Sequence, residues 1–116
     1  MIRIGDPPYL ECSSRGDKRF SAFYAKVRGK SIEQRYQAAK IFADSSTGLD
    51  WKQAKGKVPI NIEDVTELYK ELWREYLLDN PSFIITLKKA SGLSDIFGQK
   101  NHNCQAITLW ELRKEI

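Results

Sequence analysis

The chain has 116 residues, 41% of them apolar, 29% charged and 11% aromatic, with a formal charge of +4. That length fits one domain with a core of its own, and no apolar run approaches a membrane span. The opening "MIRIGDPPYLECSS" has no apolar h-region, so a secretory signal is not expected there. Cys12 and Cys104 can in principle pair, but two cysteines without a signal peptide point to reduced thiols and a cytoplasmic setting.

Taken in chain order, residues 1–15 are expected to be an irregular N-terminal stretch of a single 1–116 domain, with Pro7-Pro8 marking the irregularity. "RFSAFYAKV" (Arg19 to Val27) alternates partly and reads as a short strand or an irregular packed segment. Gly29 breaks the chain before Ser31, where Ser31 and Gln34 have capping-box spacing. A helix is predicted from about Ser31 to Ala43, with Ile32, Tyr36 and Ala39 as its apolar stripe. A polar stripe, Glu33, Gln37, Lys40 and Asp44, runs beside it. "DSSTGLD" then forms a loop, and "WKQAKGKVPIN" reads as one helical turn followed by a connection.

Asn61 is expected to cap the next helix, whose stripe of Val65, Leu68, Tyr69, Leu72, Trp73, Tyr76 and Leu77 makes it a core element. Asn80-Pro81 starts another helix that buries Phe83, Ile84, Leu87 and Ala90 and stops at Gly92. "LSDIFGQKNHN" is predicted as an eleven-residue loop. A last helix, about Cys104 to Glu115, buries Ala106, Leu109, Trp110 and Leu112. The fold class is therefore α+β and mainly helical, with about four helices and at most a small sheet. "SSRGDKRF" and "LSDIFGQKNHN" are the two long polar loops in which function commonly sits.

The charge is unevenly placed. Lys18, Arg19, Lys26, Arg28, Lys30, Arg35 and Lys40 crowd the first third, and Lys52, Lys55 and Lys57 follow, whereas Asn61 to Asp79 is acidic by comparison. Such a surface suits nucleic acid or a phosphate-bearing nucleotide, and equally serves solubility. No "GxGxxG" or "GxxxxGK[ST]" occurs, which removes support for dinucleotide and P-loop chemistry. Cys12, His102 and Cys104 lack a metal-ligand spacing, and neither cysteine has the neighbours of a thiol nucleophile. Glu33 and Lys40 stand two turns apart on the predicted helix, roughly 10 Å between Cα atoms, with Gln37 between them. That is too far for an i,i+4 ion pair and suitable for gripping a small group from two sides. A solvated helix face is the commoner fate of such a stripe.

"GDKRFSAFYAKVRGKSIEQRYQAAKIF" resembles the opening of the NADAR (YbiA-like) family: a glycine–acid loop, an "FSNF" segment, a "DGK" turn and a helix with "EHxxQAxK(F)". The counterparts are Gly16-Asp17, Phe20 to Phe23, Gly29-Lys30, and Glu33, Gln37, Ala38, Lys40 and Phe42. "AKGK", "LWREYLLDNPSFIITLKKASG" and "SDIFGQKNHNCQAITLWELRKEI" are similar, in the same order, to the family's later turn, its helix pair and its "DxxWG…GxNxLG" ending. The departures are Gln34 for a histidine, Phe97 for a tryptophan, Cys104 to Ile107 for "NxLG", and a shorter middle segment.

The resemblance implies an N-glycosidase that needs no cofactor and no metal. Its substrate would be ADP-ribosylated nucleic acid, with ADP-ribose removed from guanine, or a related nucleotide-like N-riboside, and a role in reversing a base-modifying toxin would follow. By the same resemblance Glu33 would stabilise the oxocarbenium-like cation and activate water. Lys40 would hold a phosphate or attack the opened sugar as an amine. Asp95 would orient a hydroxyl or base, and Phe97 and Gly98 would form the stacking loop. Gly16 and Asp17 belong to the glycine–acid loop, Arg15, Lys18 and Arg19 would receive phosphates, and Phe23, Gln37 and Gln105 would line the site. The alternative is a non-catalytic basic module for nucleic acid or an ADP-ribose-like ligand, in which Phe20, Phe23 and Tyr24 stack.

Overall fold

A computed structural model describes residues 1–42, 58–98 and 104–116. The expectations for Asp44, for a helical turn after Trp51 and for His102 lie outside the described residues. Within them the architecture is α+β and mainly helical, with four helices, a three-stranded sheet and a two-stranded one.

The N-terminal residues read as irregular instead hold two strands, β1 (Ile2–Gly5) and β2 (Tyr9–Glu11). Both pair with β5 (Gly92–Asp95), which lies between them. β1 is antiparallel to it, with Ile2 opposite Asp95; β2 is parallel, with Glu11 opposite Ser94. The predicted loop from Leu93 to Asn103 therefore begins inside the central strand of the sheet, and all four residues of β5 are buried. Its neighbours come from the other end of the chain, so no local pattern announces it.

"RFSAFYAKV" divides into a 3₁₀ turn over Lys18–Phe20, a bend, and β3 (Lys26–Val27), which pairs antiparallel with β4 (Lys30–Ser31). Arg28 (φ 51°) and Gly29 (φ 84°) make the tight connection, the geometry that two-residue hairpins require. Arg35 fastens this hairpin to the following helix, donating from Nε to Val27 O (2.6 Å) and from Nη2 to Arg28 O (2.7 Å). One of the basic residues in the first third is thus committed to the fold.

α1 (Ile32–Ala38) starts with both arms of the capping box: Ser31 Oγ accepts from Gln34 N and Gln34 Oε1 accepts from Ser31 N. It ends at Ala39, several residues before the predicted Ala43. The cause is Asn61, whose Nδ2 donates to Ala39 O (3.0 Å) and whose Oδ1 accepts from Ile41 N (2.9 Å). Ile60 N also donates to Ile41 O. These tertiary partners take the groups that a longer helix would have paired internally. Asn61 occupies the N-cap position of α2 (Ile62–Leu78) but makes no side-chain cap to it.

α2 buries Val65, Tyr69, Leu72, Trp73, Tyr76 and Leu77, and Leu68 is partly buried beside them, as the sequence stripe predicts. α3 (Pro81–Lys89) begins with its proline and ends at Ala90, so Gly92 opens β5 rather than stopping the helix. α4 (Gln105–Leu112) packs on β5 and β1, burying Ala106, Leu109 and Leu112, while Trp110 is only partly covered. Trp73, Phe20, Ile32, Leu77, Leu87, Leu93, Leu109 and Leu112 form the fully buried centre between helices and sheet. Lys70 and Arg74 of α2 reach Glu115 beyond α4, exposed pairs that add little.

Candidate functional site

The sequence brings Glu33 to the first turn of α1, and the fold fixes that turn from outside. Glu33 N donates to Ala22 O (3.0 Å), while Ala22 N donates to Gln105 Oε1 (2.7 Å). Gln105 is the first residue of α4, and its Nε2 donates to Asp95 Oδ2 at the end of β5 (3.0 Å). One peptide, Ala22, thus links three elements distant in sequence. Tyr69 of α2 lies within reach of the Glu33 and Asp95 charges. Burial holds its phenol well above the usual tyrosine range, and the charges of Glu33 and Asp95 push the same way.

Gln37 lies one turn along α1 and donates from Nε2 to Glu33 Oε1 (2.8 Å). It is buried, and its own Oε1 has no hydrogen-bond partner among the described residues. Lys40 is not on the helix, which corrects the two-turn Glu33–Lys40 geometry expected from spacing. It follows the C-cap, only 4% exposed, with Nζ 5.1 Å from the centre of the Tyr36 ring. Burial lowers its affinity for a proton below the usual lysine range, and the Glu33 charge partly restores it. Glu33, Gln37 and Lys40 are therefore neighbours, with Tyr36 as a wall that the apolar-stripe reading did not assign to the site.

Asp95 differs from the expectation of a group open to substrate. It is 3% exposed, and both carboxylate oxygens are occupied. Oδ1 accepts from Phe97 N (3.0 Å); Oδ2 accepts from Gln105 and, weakly, from Cys104 Sγ (3.5 Å). Its geometry is that of a strut holding the Phe97 loop and Gln105. Gly98 belongs to this packing as well: a Cβ there would come within 2.6 Å of Ile2 Cγ1 and 3.0 Å of Cys104 Sγ. Phe97 projects outward, 58% exposed, with the Arg15 guanidinium 5.6 Å from its ring centre.

The loop bearing Arg15 is held by Glu11, a residue that no motif singled out. Its Oε2 accepts from Ser13 N (2.9 Å) and Ile96 N (3.2 Å), and its Oε1 from Ser94 Oγ (2.8 Å). Burial alone would raise the Glu11 pKa; the hydrogen bonds from Ser13, Ser94 and Ile96 outweigh it and lower it. Gly16 closes on Glu11 so tightly that a Cβ would meet Glu11 O at 2.1 Å. Asp17 and Arg19 pair with each other (2.6 Å), which keeps the Asp17 carboxyl below its usual range. The Arg19 guanidinium also covers the Phe20 and Phe83 rings, so Arg19 is largely spent on the loop itself. Lys18 stands in a separate pairing, 4.7 Å from the centre of the half-exposed Tyr24 ring. Phe23 is on the surface next to the Ala22 junction.

A continuous series of contacts therefore runs from Arg15 and Phe97 through Asp95, Gln105 and Ala22 to Glu33 and Gln37. Asp17, Lys18 and Arg19 lie beside it rather than in it. Among the described residues no three His, Cys, Asp or Glu side chains come together as a metal site, and no helix is long and apolar enough to cross a membrane. No protein-family model matches the chain, and no curated protein matches it in sequence.

Proposed function

We propose that the protein is a NADAR-like N-glycosidase, hydrolysing the bond between ribose C1 and a base nitrogen in an ADP-ribosylated base such as guanine or in a related nucleotide-like N-riboside. The observation that carries this reading is the grouping of Glu33, Gln37 and Lys40, fixed to the Phe97 loop through Ala22, Gln105 and Asp95. In this reaction the C1–N bond breaks with its electron pair leaving on the base nitrogen, which takes up a proton. Glu33 faces the developing oxocarbenium-like cation and accepts the proton of the attacking water. Lys40 balances the Glu33 charge and holds a substrate anion or, as free amine, adds at C1 of the opened sugar in place of water. In the second case the bond to the base nitrogen breaks, the base leaves with a proton, and water then hydrolyses the resulting imine to the free sugar and amine. Asp95 acts through Gln105 as a positioning residue. Phe97 offers a stacking face, and Arg15 and Lys18 meet phosphates.

The test is release of ADP-ribose from ADP-ribosylated guanosine or DNA by wild type and by Glu33→Gln. Loss of roughly 10²-fold or more in the variant is expected for a removed acid–base group. If both proteins are equally inert, the glycosidase reading fails. A second reading, a non-catalytic module for nucleic acid or an ADP-ribose-like ligand, draws on the exposed rings of Tyr24 and Phe97, each beside a cation. Steeply salt-dependent nucleic-acid binding that Glu33→Gln leaves unchanged would favour it.

A further inference from the structure

Gln37 is 4% exposed, and its amide is held one way round. An ionised carboxylate only accepts hydrogen bonds, so the amide turns Nε2 to Glu33 Oε1 at 2.8 Å. The opposite rotamer would set two acceptors against each other. Gln37 Oε1 is thereby directed away from Glu33 and has no donor among the described residues. Buried acceptors in native proteins are almost always paired, and one that is not calls for a water or a ligand group to supply the proton.

We propose that Gln37 Oε1 accepts a hydrogen bond from the sugar hydroxyl next to the anomeric carbon, making Gln37 the residue that selects ribosides over 2-deoxyribosides. This inference rests on the glycosidase reading of Glu33. If Glu33 works at C1, the sugar donor nearest to it is the hydroxyl on C2. Gln37 is the side chain that touches the Glu33 carboxylate along the same helix face. A hydrogen bond donated by that hydroxyl leaves more electron density on its oxygen, which eases the positive charge growing on C1. Selectivity follows from burial. A ligand lacking the hydroxyl leaves the buried Gln37 Oε1 unpaired, the situation in which polar sites discriminate most strongly.

Calorimetric titration of the wild-type protein with ADP-ribose, and with its analogue lacking the 2-hydroxyl of the terminal ribose, tests this directly. ADP-ribose is expected to bind about ten-fold more tightly or better. Gln37→Met, which keeps the volume and loses the acceptor, is expected to bring the ratio to about one by weakening ADP-ribose alone. Equal affinities in the wild type, or no binding of ADP-ribose, overturn the proposal, and neither result depends on the variant folding. A loss in Gln37→Met shared by both ligands overturns it too, as does guanosine binding that the substitution abolishes, since the acceptor would then read a base N–H. Release of ADP-ribose from ADP-ribosylated guanosine by the wild type without this discrimination sinks the inference and leaves the glycosidase reading standing. Discrimination without release of ADP-ribose sinks the glycosidase reading and leaves Gln37 only as a reader of the hydroxyl in a binding site.

Discussion

Gln105 is a buried clamp between Asp95 and a backbone peptide: it donates to Asp95 Oδ2 at 3.0 Å and accepts from Ala22 N at 2.7 Å. Gln105→Leu leaves the Ala22 N–H unpaired and removes a donor from a buried carboxylate. Each orphan costs about 1–3 kcal/mol, so a loss of about 3 kcal/mol is expected in urea unfolding, with the denaturant slope unchanged. Gln105→Glu is expected to fare no better, because its carboxylate faces Asp95. A loss below 1 kcal/mol in either variant would mean that the clamp does not hold the site.

Glu11 makes an acid-dependent contribution. Its pKa lies below the ordinary 4.5, because the hydrogen bonds from Ser13, Ser94 and Ile96 outweigh the upward push of burial. The unfolded chain therefore binds the proton first as the pH falls. The stabilisation is complete above 4.5 and is lost as the pH drops through the folded-state value. Glu11→Gln, which faces two backbone N–H groups and a hydroxyl with one oxygen fewer, is expected to cost about 2 kcal/mol at pH 7. The gap between variant and wild type should narrow below pH 4.5 in thermal melts. A gap independent of pH would contradict this account.

The residues of the first clamp, Asp95 and Gln105, are singled out by the family resemblance, whereas Glu11 is not. The α2 stripe from Val65 to Leu77 is legible because every buried position recurs with the helical period and the element supplies its own hydrogen bonds. β5 is not, because "GLSD" is buried at all four positions and has no alternation; both its partners come from the N-terminal strands. The early end of α1 was hidden for a related reason. Ala39 and Lys40 continue the helical pattern, and only the Asn61 side chain, brought in by the fold, diverts the backbone there. At the candidate site Glu33 and Gln37 were legible as an i,i+4 pair. Glu11 was not, since a lone acidic residue at a strand end carries no motif.

Lys40 couples stability to alkaline pH with the opposite sign. Burial depresses its pKa below 10.5, against the pull of Glu33, so the folded protein loses the proton first as the pH rises. The cost is complete below the folded-state value and fades toward 10.5. Lys40→Met removes a buried charge whose nearby carboxylate, Glu33, stays partly solvated. The stability of Lys40→Met relative to wild type is expected to fall as the pH rises toward 10.5, where the wild type sheds its cost, together with loss of binding to an anionic ligand such as ADP-ribose. Urea titrations at several pH values separate the two effects; destabilisation at pH 7 would show that the Lys40 contacts exceed its desolvation.

Phe97 offers a contrast between fold and ligand. The ring is 58% exposed, and its backbone N–H rather than its side chain ties it to Asp95. Phe97→Ala should therefore leave the stability within about 0.5 kcal/mol of wild type. The adenine of ADP-ribose stacked on the ring contributes about 1–3 kcal/mol, so affinity for ADP-ribose should fall about ten-fold. Arg15, 5.6 Å from the ring centre, supplies charge instead of a stacking face. Arg15→Gln should weaken nucleic-acid binding evenly across sequences and reduce its salt slope by about one. If Phe97→Ala leaves ADP-ribose affinity intact while Arg15→Gln flattens the salt slope, the exposed loop serves the phosphate backbone, and the binding module becomes the better account of this surface.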